Sequence, residues 1–318
     1  MESIPKISII IPVSTASHYL EECLEHCGSL DYPNFEIILL PDEPLNQDLL
    51  GIRVIPTGYA GPSLKRNIGI THSTGEICAF IDADAYPTRD WLKKSATFFN
   101  DPEVAAIGGP NLTPEDDAPM QKANGFIFSS FLGGRRYKVR YSKVTEFNSW
   151  ELQTVNMFVR KSALDQLGGF EVGLWPGEDA KLSFQIADVL KKKQLYVPEL
   201  IVYHHRRPLF KPYLKQVWRS GVTKGTLLKE FFSFGRVEYL LPTLFVLGLI
   251  IGPFLMLLSP VIKAIYFSIL GIYLLGALAT GVKTGNLKMG AAVFIGIILT
   301  HLTYGIAFLM GLLRRQPK

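Results

Sequence analysis

The feature that most restricts the fold of this chain is its C-terminal end, where three long stretches lack Asp, Glu, Lys and Arg. These stretches are 239–258, 264–282 and 289–313. Each is close to the length of about twenty residues that an α-helix needs to cross the hydrocarbon core of a bilayer. The sequence therefore predicts a transmembrane region of about three helices over 238–318, behind a separate globular part.

The position of three prolines leaves the first stretch open to a second interpretation. Pro242, Pro253 and Pro260 are also compatible with a kinked or re-entrant pair of helices, which would have the same composition.

The N-terminus lacks the basic residues and the long apolar run of a signal peptide. The cysteines are odd in number and lack metal-site spacing, which is typical of free thiols in a reducing compartment. We therefore expect a multi-pass protein of the cell membrane whose globular part is cytoplasmic.

The net charge of +5 hides an uneven distribution of charge along the chain. Residues 191–235 contain ten Lys and Arg against two Asp and Glu, whereas 1–190 are acidic overall. A basic residue near anionic lipid contributes on the order of 1 kcal/mol to membrane binding. We therefore expect basic amphipathic helices over 210–237 that lie at the membrane interface, with a solvated basic face as the alternative.

Before residue 210, buried strands alternate with amphipathic helices. The stretches Ile7–Val13, Phe35–Leu40 and Ile77–Ile81 are rich in β-branched and other apolar residues, as in strands covered on both faces. Helical stretches separate them, which predicts an α/β domain with a mostly parallel central sheet over 1–209. Ligands of such sheets bind beyond the carboxyl ends of the strands, which is where Asp42 and the triplet Asp82-Ala-Asp84 stand.

Two local patterns at these strand ends suggest chemistry. Asp82 and Asp84 follow a buried strand, and two carboxylates so placed hold Mg²⁺ or Mn²⁺, which neutralises a diphosphate leaving group. A surface turn is the alternative, although a structural role gains little from two like charges.

Upstream, a Gly-rich loop leads into a helix that begins near Lys65 and Arg66. Helix starts favour anions, so both side chains are candidates for phosphate binding, and an ordinary helix entry is the alternative.

Taken as a set, eight segments of this part resemble glycosyltransferase family 2. The segments are Ile11-Pro12-Val13, Pro41-Asp42, Lys65-Arg66-Asn67-Ile-Gly69, Gly75-Glu76-Ile77, Ile81-Asp82-Ala-Asp84, Trp91-Leu92, Gly168-Gly169-Phe170 and Gly177-Glu178-Asp179. The resemblance covers about residues 4 to 230. It implies the α/β GT-A fold, a nucleotide-diphosphate sugar as donor, and inversion at the anomeric carbon.

The resemblance also implies roles for individual residues. Asp42 is expected to read the nucleotide base, Asp82 to lie near the ribose or donor sugar, and Asp84 to ligate the metal together with Asp82. Glu178 and Asp179 match the family's base motif, with Asp179 as the base that takes the proton of the acceptor hydroxyl. A helix N-cap is the alternative role for Asp179. The expected donor-binding set is completed by Pro12, Lys65, Arg66 and Asn67.

A late segment, Tyr203-His204-His205-Arg206-Arg207, resembles the family's histidine segment. His204 is expected to contact the metal or diphosphate, with His205 as the alternative, because neighbouring residues of a strand point in opposite directions. Arg206 and Arg207 are candidates for the leaving diphosphate or for the membrane surface. On the acceptor side, the candidates are Asn111, Asn156, Trp175 and Trp218.

Finer resemblances bear on the kind of product. Gln216-Val-Trp218-Arg219 is similar to the motif of processive polymer synthases but has its Trp and Arg in the other order, which argues against processive synthesis. Gly108-Gly-Pro-Asn111 and the segment from His301 to Gly311 look like membrane-bound exopolysaccharide glucosyltransferases of the succinoglycan type. That branch implies transfer of one sugar to a lipid-linked acceptor. His301 itself is a functional candidate or a helix–helix hydrogen bond.

The leading hypothesis is therefore an inverting, metal-dependent transferase that moves a single sugar to a lipid-linked saccharide. Its expected partners are a nucleotide-diphosphate sugar, on family frequency a UDP-sugar, the lipid-linked acceptor and the bilayer, without nucleic acid. A second enzyme hypothesis has polyprenyl phosphate as the acceptor. A hypothesis of another class is an inactive membrane scaffold subunit, which the presence of Asp82, Asp84 and Asp179 disfavours.

Overall fold

A computed structural model describes residues 4–45, 49–142, 151–232 and 234–314. The chain forms two compact units. The first comprises Met1–Pro114 and Val139–His205, and the second Glu115–Lys138 and Arg206–Lys318. A segment from the middle of the sequence therefore belongs with the C-terminal part, which the sequence did not indicate. The predicted three-part division at 209 and 237 remains a prediction beside this division by contacts.

Every strand among the described residues lies in the first unit. In chain order they are β1 (Ile7–Pro12), β2 (Phe35–Leu40), β3 (Ile52–Val54), β4 (Ile77–Phe80), β5 (Ala85–Pro87), β6 (Val104–Gly108), β7 (Asn111–Leu112), β8 (Met157–Arg160), β9 (Lys193–Tyr196) and β10 (Val202–His204). Seven of them form one sheet in the order β3-β2-β1-β4-β8-β6-β9. Only β8 runs antiparallel to its neighbours β4 and β6, so the sheet is mostly parallel, as predicted. A smaller sheet has the order β5-β10-β7.

The helices are divided between the two units. In chain order they are α1 (His18–Gly28), α2 (Pro62–His72), α3 (Trp91–Phe98), α4 (Pro119–Ser129), α5 (Phe131–Gly134), α6 (Lys161–Leu167), α7 (Glu178–Asp188), α8 (Lys211–Glu230), α9 (Leu241–Leu255), α10 (Pro260–Val282) and α11 (Leu287–Leu313). Helices α4, α5 and α8 to α11 belong to the second unit.

The main sheet is covered on both faces, because successive side chains of a strand point to opposite sides. Along β1, Ile9 and Ile11 belong to a core with Cys23 of α1 and Trp91 of α3. Ile10 faces the other core, which includes residues of α2, α6 and α7. All three cysteines are buried and free, and burial raises the pKa of the Cys78 thiol to about 11. Double coverage thus explains the continuous apolar strands of the sequence.

Helix α4 begins soon after the polar residues 114–117, Pro-Glu-Asp-Asp. Pro119 stands at the first helical position, where its missing N–H costs nothing. The backbone N–H of Ala118 donates to the Gln121 side chain at 3.1 Å, which caps the helix start. The composition of the preceding residues concealed these two start signals.

The predicted C-terminal helices are present in the second unit. Three segments are long and apolar enough to cross a membrane, namely Arg236–Leu255, Pro260–Val282 and Leu287–Leu313. The last two agree with the predicted bounds within a few residues. In the first, the α-helix proper is α9, which is shorter than predicted and follows a 3₁₀ turn over Phe234–Leu240.

Helix α8 runs alongside α11 rather than as a separate element. The hydroxyl groups of Tyr213 and Thr300 are 2.7 Å apart, and Lys229 near the end of α8 donates to the Arg314 carbonyl at 2.5 Å. The two helices are therefore parallel. At Gly225 an added Cβ would collide with the Phe308 carbonyl oxygen and lie 2.8 Å from the Leu312 nitrogen. Glycine is required there because the two backbones are in contact.

His301 of α11 makes two hydrogen bonds within the second unit. Its Nε2 lies 3.0 Å from the Leu132 carbonyl oxygen, and its Nδ1 lies 2.8 Å from the Tyr273 hydroxyl of α10. A carbonyl oxygen only accepts, so Nε2 carries the proton and Nδ1 accepts from Tyr273. This arrangement matches the helix–helix hydrogen bond that was one of the two interpretations of His301.

Candidate active site

The candidate site lies at the carboxyl edge of the main sheet, where β1, β2 and β4 end. Asp42 follows β2, and its Oδ1 is 2.5 Å from the Nζ of Lys65 in the first turn of α2. The same Nζ donates to the carbonyl oxygens of Leu40, at 3.1 Å, and of Val13. Lys65 is buried, with 2% of its surface exposed. The lysine thus holds the ends of two strands and the Asp42 carboxylate together.

Arg66 makes a corresponding contact with the other carboxylates. Its Nη2 is 2.8 Å from Oδ1 of Asp82, and its Nη1 is 2.6 Å from Oε1 of Glu178. The guanidinium also lies 5.7 Å from the centre of the Phe170 ring. Burial alone would lower the pKa of Arg66, but the charges of Asp82 and Glu178 outweigh it and raise that pKa. One buried cation therefore joins the end of β4 to the start of α7.

Asp82, Asp84 and His204 come together at the edge of the site. One ligand atom from each lies within 4.8 Å of those of the other two, and Nε2 of His204 is 3.3 Å from Oδ1 of Asp84. All three side chains are partly exposed, with Asp84 the most open at 45%. Among the described ranges this is the one group of His, Cys, Asp and Glu side chains with metal-ligand spacing.

The chemistry of this set fits a divalent cation. Two carboxylates supply hard oxygen ligands of the kind that Mg²⁺ and Mn²⁺ prefer, and imidazole is a better ligand for Mn²⁺ than for Mg²⁺. Partial exposure leaves room for ligands from a substrate. The structure thus brings together the three residues that the sequence analysis assigned to the metal.

His205 turns away from this triad, which separates the two histidine candidates. Its Nε2 is 2.8 Å from Oε2 of Glu22 in α1, and its ring stacks on Tyr19 at 4.3 Å between centroids. Its backbone N–H donates to the Asp84 carbonyl oxygen at 3.0 Å. His205 therefore anchors the end of β10 to α1, and His204 faces the other carboxylates. Sequence gave no sign of Glu22, which lies 183 positions from His205.

Glu178 and Asp179, at the start of α7, have different surroundings. Glu178 is 4% exposed, and its two oxygens are held by Arg66 and by the backbone N–H of Gly177 at 2.9 Å. Gly177 has a φ of 117°, which a glycine adopts without strain. Asp179 is only partly buried, and its Oδ1 accepts from the Ala180 N–H at 2.7 Å. Of the two carboxylates, Asp179 is the more open to a substrate.

Lys65 and Arg66 were candidates for phosphate binding and Asn67 for the donor-binding set, and the structure places all three side chains against groups of the protein itself, so their contact with a donor stays a prediction. The two cations are buried against carboxylates, as described above. The Asn67 amide exchanges two hydrogen bonds of 2.7 Å with the backbone of Phe170. The helix start of α2 is therefore used to order the protein's own groups. Pro12 ends β1 at the same sheet edge, and its contact with a donor stays a prediction.

Two of the four acceptor-side candidates are buried. Asn111 and Asn156 are each 1% exposed. Asn156 accepts from the Trp91 indole and donates to the carbonyl oxygens of Pro110 and Leu200, and its role on the acceptor side stays a prediction. Trp175 and Trp218 are 44% and 37% exposed and remain candidates, Trp218 in the second unit.

The two arginines at the end of the histidine segment belong to the second unit. Arg206 is 6% exposed, and its backbone N–H donates to Asp117 at 3.2 Å. Arg207 is exposed. Their contact with a diphosphate stays a prediction.

A mostly parallel sheet with a carboxylate–histidine triad beyond its carboxyl edge is the arrangement expected of a GT-A glycosyltransferase. The model of Glycosyl transferase family 2 matches residues 8–168, and the chain belongs to this family.

Three comparisons with individual proteins agree. The chain is 25% identical over 239 residues to glycosyltransferase AglE of Haloferax volcanii, covering 69% of this chain and 73% of AglE. It is 23% identical over 277 residues, 79% of this chain and 84% of the relative, to the dolichyl N-acetyl-α-D-glucosaminyl phosphate 3-β-D-2,3-diacetamido-2,3-dideoxy-β-D-glucuronosyltransferase of Methanococcus voltae. A mannosyltransferase of Pyrobaculum calidifontis, solved with GDP-Man and Mn²⁺, is similar in fold, with a TM-score of 0.57 and 17% identity over 98% of this chain and 88% of the other. The predicted GT-A fold with a C-terminal apolar region is thereby confirmed.

Proposed function

We propose that this family 2 glycosyltransferase transfers a single sugar from a nucleotide-diphosphate sugar to a lipid-linked saccharide, with inversion at the anomeric carbon. The observation that carries the proposal is the triad of Asp82, Asp84 and His204. Arg66 connects one member of this triad to Glu178, next to Asp179. The groups needed for the donor and for the acceptor proton are thus linked by a single side chain.

On the donor side, Asp82, Asp84 and His204 would hold Mg²⁺ or Mn²⁺. When bound there, the ion supplies positive charge that stabilises the diphosphate as a leaving group. Asp42, held by Lys65 at the end of β2, is proposed to recognise the nucleotide base. A UDP-sugar is the proposed donor, on the basis of its frequency in the family. The alternative is a GDP-sugar, because the structure of the Pyrobaculum mannosyltransferase contains GDP-Man and Mn²⁺.

On the acceptor side, Asp179 is the proposed general base. In an inverting transfer, the oxygen of the acceptor hydroxyl forms a bond to the anomeric carbon as the bond between that carbon and the diphosphate oxygen breaks. The hydroxyl must lose its proton in this step, so a base is needed beside it. Glu178 is poorly suited because both its oxygens are engaged by Arg66 and Gly177. Asp179 is partly exposed and is carried by the first turn of α7.

The lipid-linked nature of the acceptor is proposed from two observations. The name of the Methanococcus relative describes a dolichyl sugar phosphate as its acceptor. The second unit of this chain exposes large apolar side chains along α10, as expected of a helix in lipid. We therefore propose a multi-pass protein of the cell membrane. Its first unit is proposed to lie on the cytoplasmic side, because its three cysteines are free thiols, as in a reducing compartment.

A ligand screen followed by an assay tests the proposal. The purified full-length protein is heated with Mn²⁺ and, one at a time, UDP-, GDP- and dTDP-sugars, because a ligand that binds the folded state raises the melting temperature. We expect stabilisation by one nucleotide class that requires Mn²⁺. The stabilising donor is then supplied with lipid-linked saccharide extracts, and transfer of one sugar with inverted anomeric configuration is expected. Stabilisation without transfer to any lipid-linked acceptor and without donor hydrolysis would support the inactive scaffold.

A further inference from the structure

Arg66 occupies an unusual position between two carboxylates that come from distant parts of the chain. Asp82 follows β4, sixteen positions from Arg66, whereas Glu178 begins α7, 112 positions away. Side chains of Arg66 and Glu178 are both 4% exposed, while Asp82 is 32% exposed. The contact therefore runs from the buried interior to the open triad.

The planar guanidinium explains why an arginine is suited to this place. It has five N–H donors in a fixed fork, so two of its nitrogens bond two carboxylates at once in a defined geometry. A lysine has the same charge but one compact ammonium, which has no such fork. Without any cation, Asp82 and Glu178 would be two like charges near each other in a partly buried place, which is unfavourable.

The second oxygen of Glu178 gives this contact a consequence for its neighbour. With Oε1 on Arg66 and Oε2 on the Gly177 N–H, the Glu178 side chain is fixed at both ends. The first turn of α7 is fixed with it, and this turn includes Asp179. The orientation of the Asp179 carboxylate thus depends on a residue that belongs to α2.

We propose that Arg66 is a positioning residue, which fixes Asp179 relative to the Asp82, Asp84 and His204 triad through its simultaneous contacts with Asp82 and Glu178. This inference rests on the proposed function. It assigns to Arg66 a role in aligning donor and acceptor groups, in place of the phosphate contact that the sequence suggested.

The test is a double-mutant cycle in the full-length protein with Arg66→Lys, Glu178→Gln and both together. Turnover is measured with the nucleotide sugar that stabilises the protein, and binding of Mn²⁺ alone is measured by electron paramagnetic resonance. We expect Arg66→Lys to lower kcat about tenfold or more while KM for the donor and Kd for Mn²⁺ change less than about threefold. Glu178→Gln is expected to act in the same way. The double variant should be within about twofold of the worse single variant, because both substitutions break one unit.

Arg160→Lys is the matched control. Arg160 also lies over a phenylalanine ring, Phe99 at 5.3 Å, but it donates to the backbone carbonyl oxygens of Val104, Phe99 and Asp101. The Arg160→Lys variant should have a lower melting temperature than the wild type, and its kcat should stay within about twofold of the wild-type value. An equal loss of kcat in this control would mean that Arg66 is merely structural, and would overturn the inference.

Other outcomes also decide between the proposals. An active wild type whose Arg66→Lys variant keeps kcat within about twofold, or whose losses multiply in the double variant, overturns this inference alone. If Arg66→Lys lowers the affinity for Mn²⁺ by as large a factor as it lowers kcat, the positioning role of Arg66 is also overturned. In that case the substitution has disturbed the triad rather than Asp179. A wild type that neither binds Mn²⁺ nor transfers sugar overturns the proposed function and this inference with it.

Discussion

The contacts inside the first unit differ in kind from the contacts inside the second. In the first unit, the site is made of charges from distant parts of the chain, such as Lys65 with Asp42 and Arg66 with Glu178. In the second unit, helices approach each other through small residues, as at Gly225 against α11, and neutral hydroxyl groups such as those of Tyr213 and Thr300 bond across them. The difference suggests that substitutions of the charged residues at the site lower turnover, whereas substitutions of size in the second unit lower stability.

The largest expected effect is that of Asp84→Asn. Removal of this charge from the triad should lower metal-dependent transfer by roughly a thousandfold or to background. The melting temperature without metal should stay near that of the wild type, because Asp84 is among the more exposed side chains of the site. The control is Asp90→Asn, a partly exposed aspartate outside the triad that pairs with Lys94. Normal transfer by Asp84→Asn would show that the triad is not the metal site.

Asp179→Asn tests the other half of the site. Without a base, turnover should fall by a factor of roughly a hundred or more, while donor and Mn²⁺ still raise the melting temperature. Asp188→Asn at the opposite end of α7 serves as the control. Loss of donor binding in Asp179→Asn would instead make this residue part of the donor site and refute its assignment as the base.

For the second unit, the corresponding test is one of size. Gly225→Leu would force α8 away from α11, because the new side chain has no room beside Phe308 and Leu312. The melting temperature should fall by roughly 5 °C or more. Gly271→Leu in α10 is the control, since nothing lies within 4 Å of an added Cβ at that position. Similar melting temperatures for the two variants would contradict the close packing of α8 on α11.

A polar contact of the first unit provides a smaller effect with a defined pH dependence. Glu36 accepts hydrogen bonds from the Ser8 hydroxyl at 2.6 Å and from the backbone N–H and hydroxyl of Thr74, both at 2.7 Å. Burial raises the pKa of Glu36, but these hydrogen bonds outweigh it, so the pKa lies below its ordinary value of 4.5. The folded state thus favours the carboxylate, and its stabilisation is present at neutral pH and lost as the pH falls through the lowered pKa.

Glu36→Gln should therefore cost roughly 1 kcal/mol of stability at neutral pH. The difference in melting temperature from the wild type should shrink below pH 4.5. Glu103→Gln is the control, because Glu103 pairs with Lys192 in an exposed place where an ion pair contributes little. A difference that stays constant down to low pH would show that the charge of Glu36 is not what stabilises this corner of the sheet.

Features that depend on neighbouring residues could be predicted from the sequence. Short stretches of sequence are enough to indicate the buried strands, the carboxylates after β4 and the long apolar helices. Asp82 and Asp84 were expected at a ligand site because the strand ends of a parallel sheet meet at one edge. His204, the third member of the triad, was expected only from the resemblance to the family's histidine segment.

Features that depend on tertiary packing could not be predicted in this way. A lysine or arginine at a helix start looks the same whether it binds phosphate or, like Lys65, a carboxylate of its own chain. Glu22 resembles any exposed residue of an amphipathic helix until α1 is packed against His205. Similarly, α4 owes its place to Ile127, which packs with residues of α8 and α11. In each case the partner is distant in sequence, and composition does not identify it.

The smallest effect is expected from Tyr273→Phe, which removes the hydrogen bond to Nδ1 of His301. Such bonds between helices in lipid contribute about 0.6 kcal/mol on average, because the unfolded chain also finds partners in the membrane. A fall of roughly 1–2 °C in melting temperature with unchanged turnover is therefore expected. Tyr266→Phe on the same helix is the control, since its ring contacts Gly252. Loss of turnover in Tyr273→Phe at an unchanged melting temperature would make His301 a functional residue, and would show that chemistry in this chain is not confined to the charged edge of the first unit.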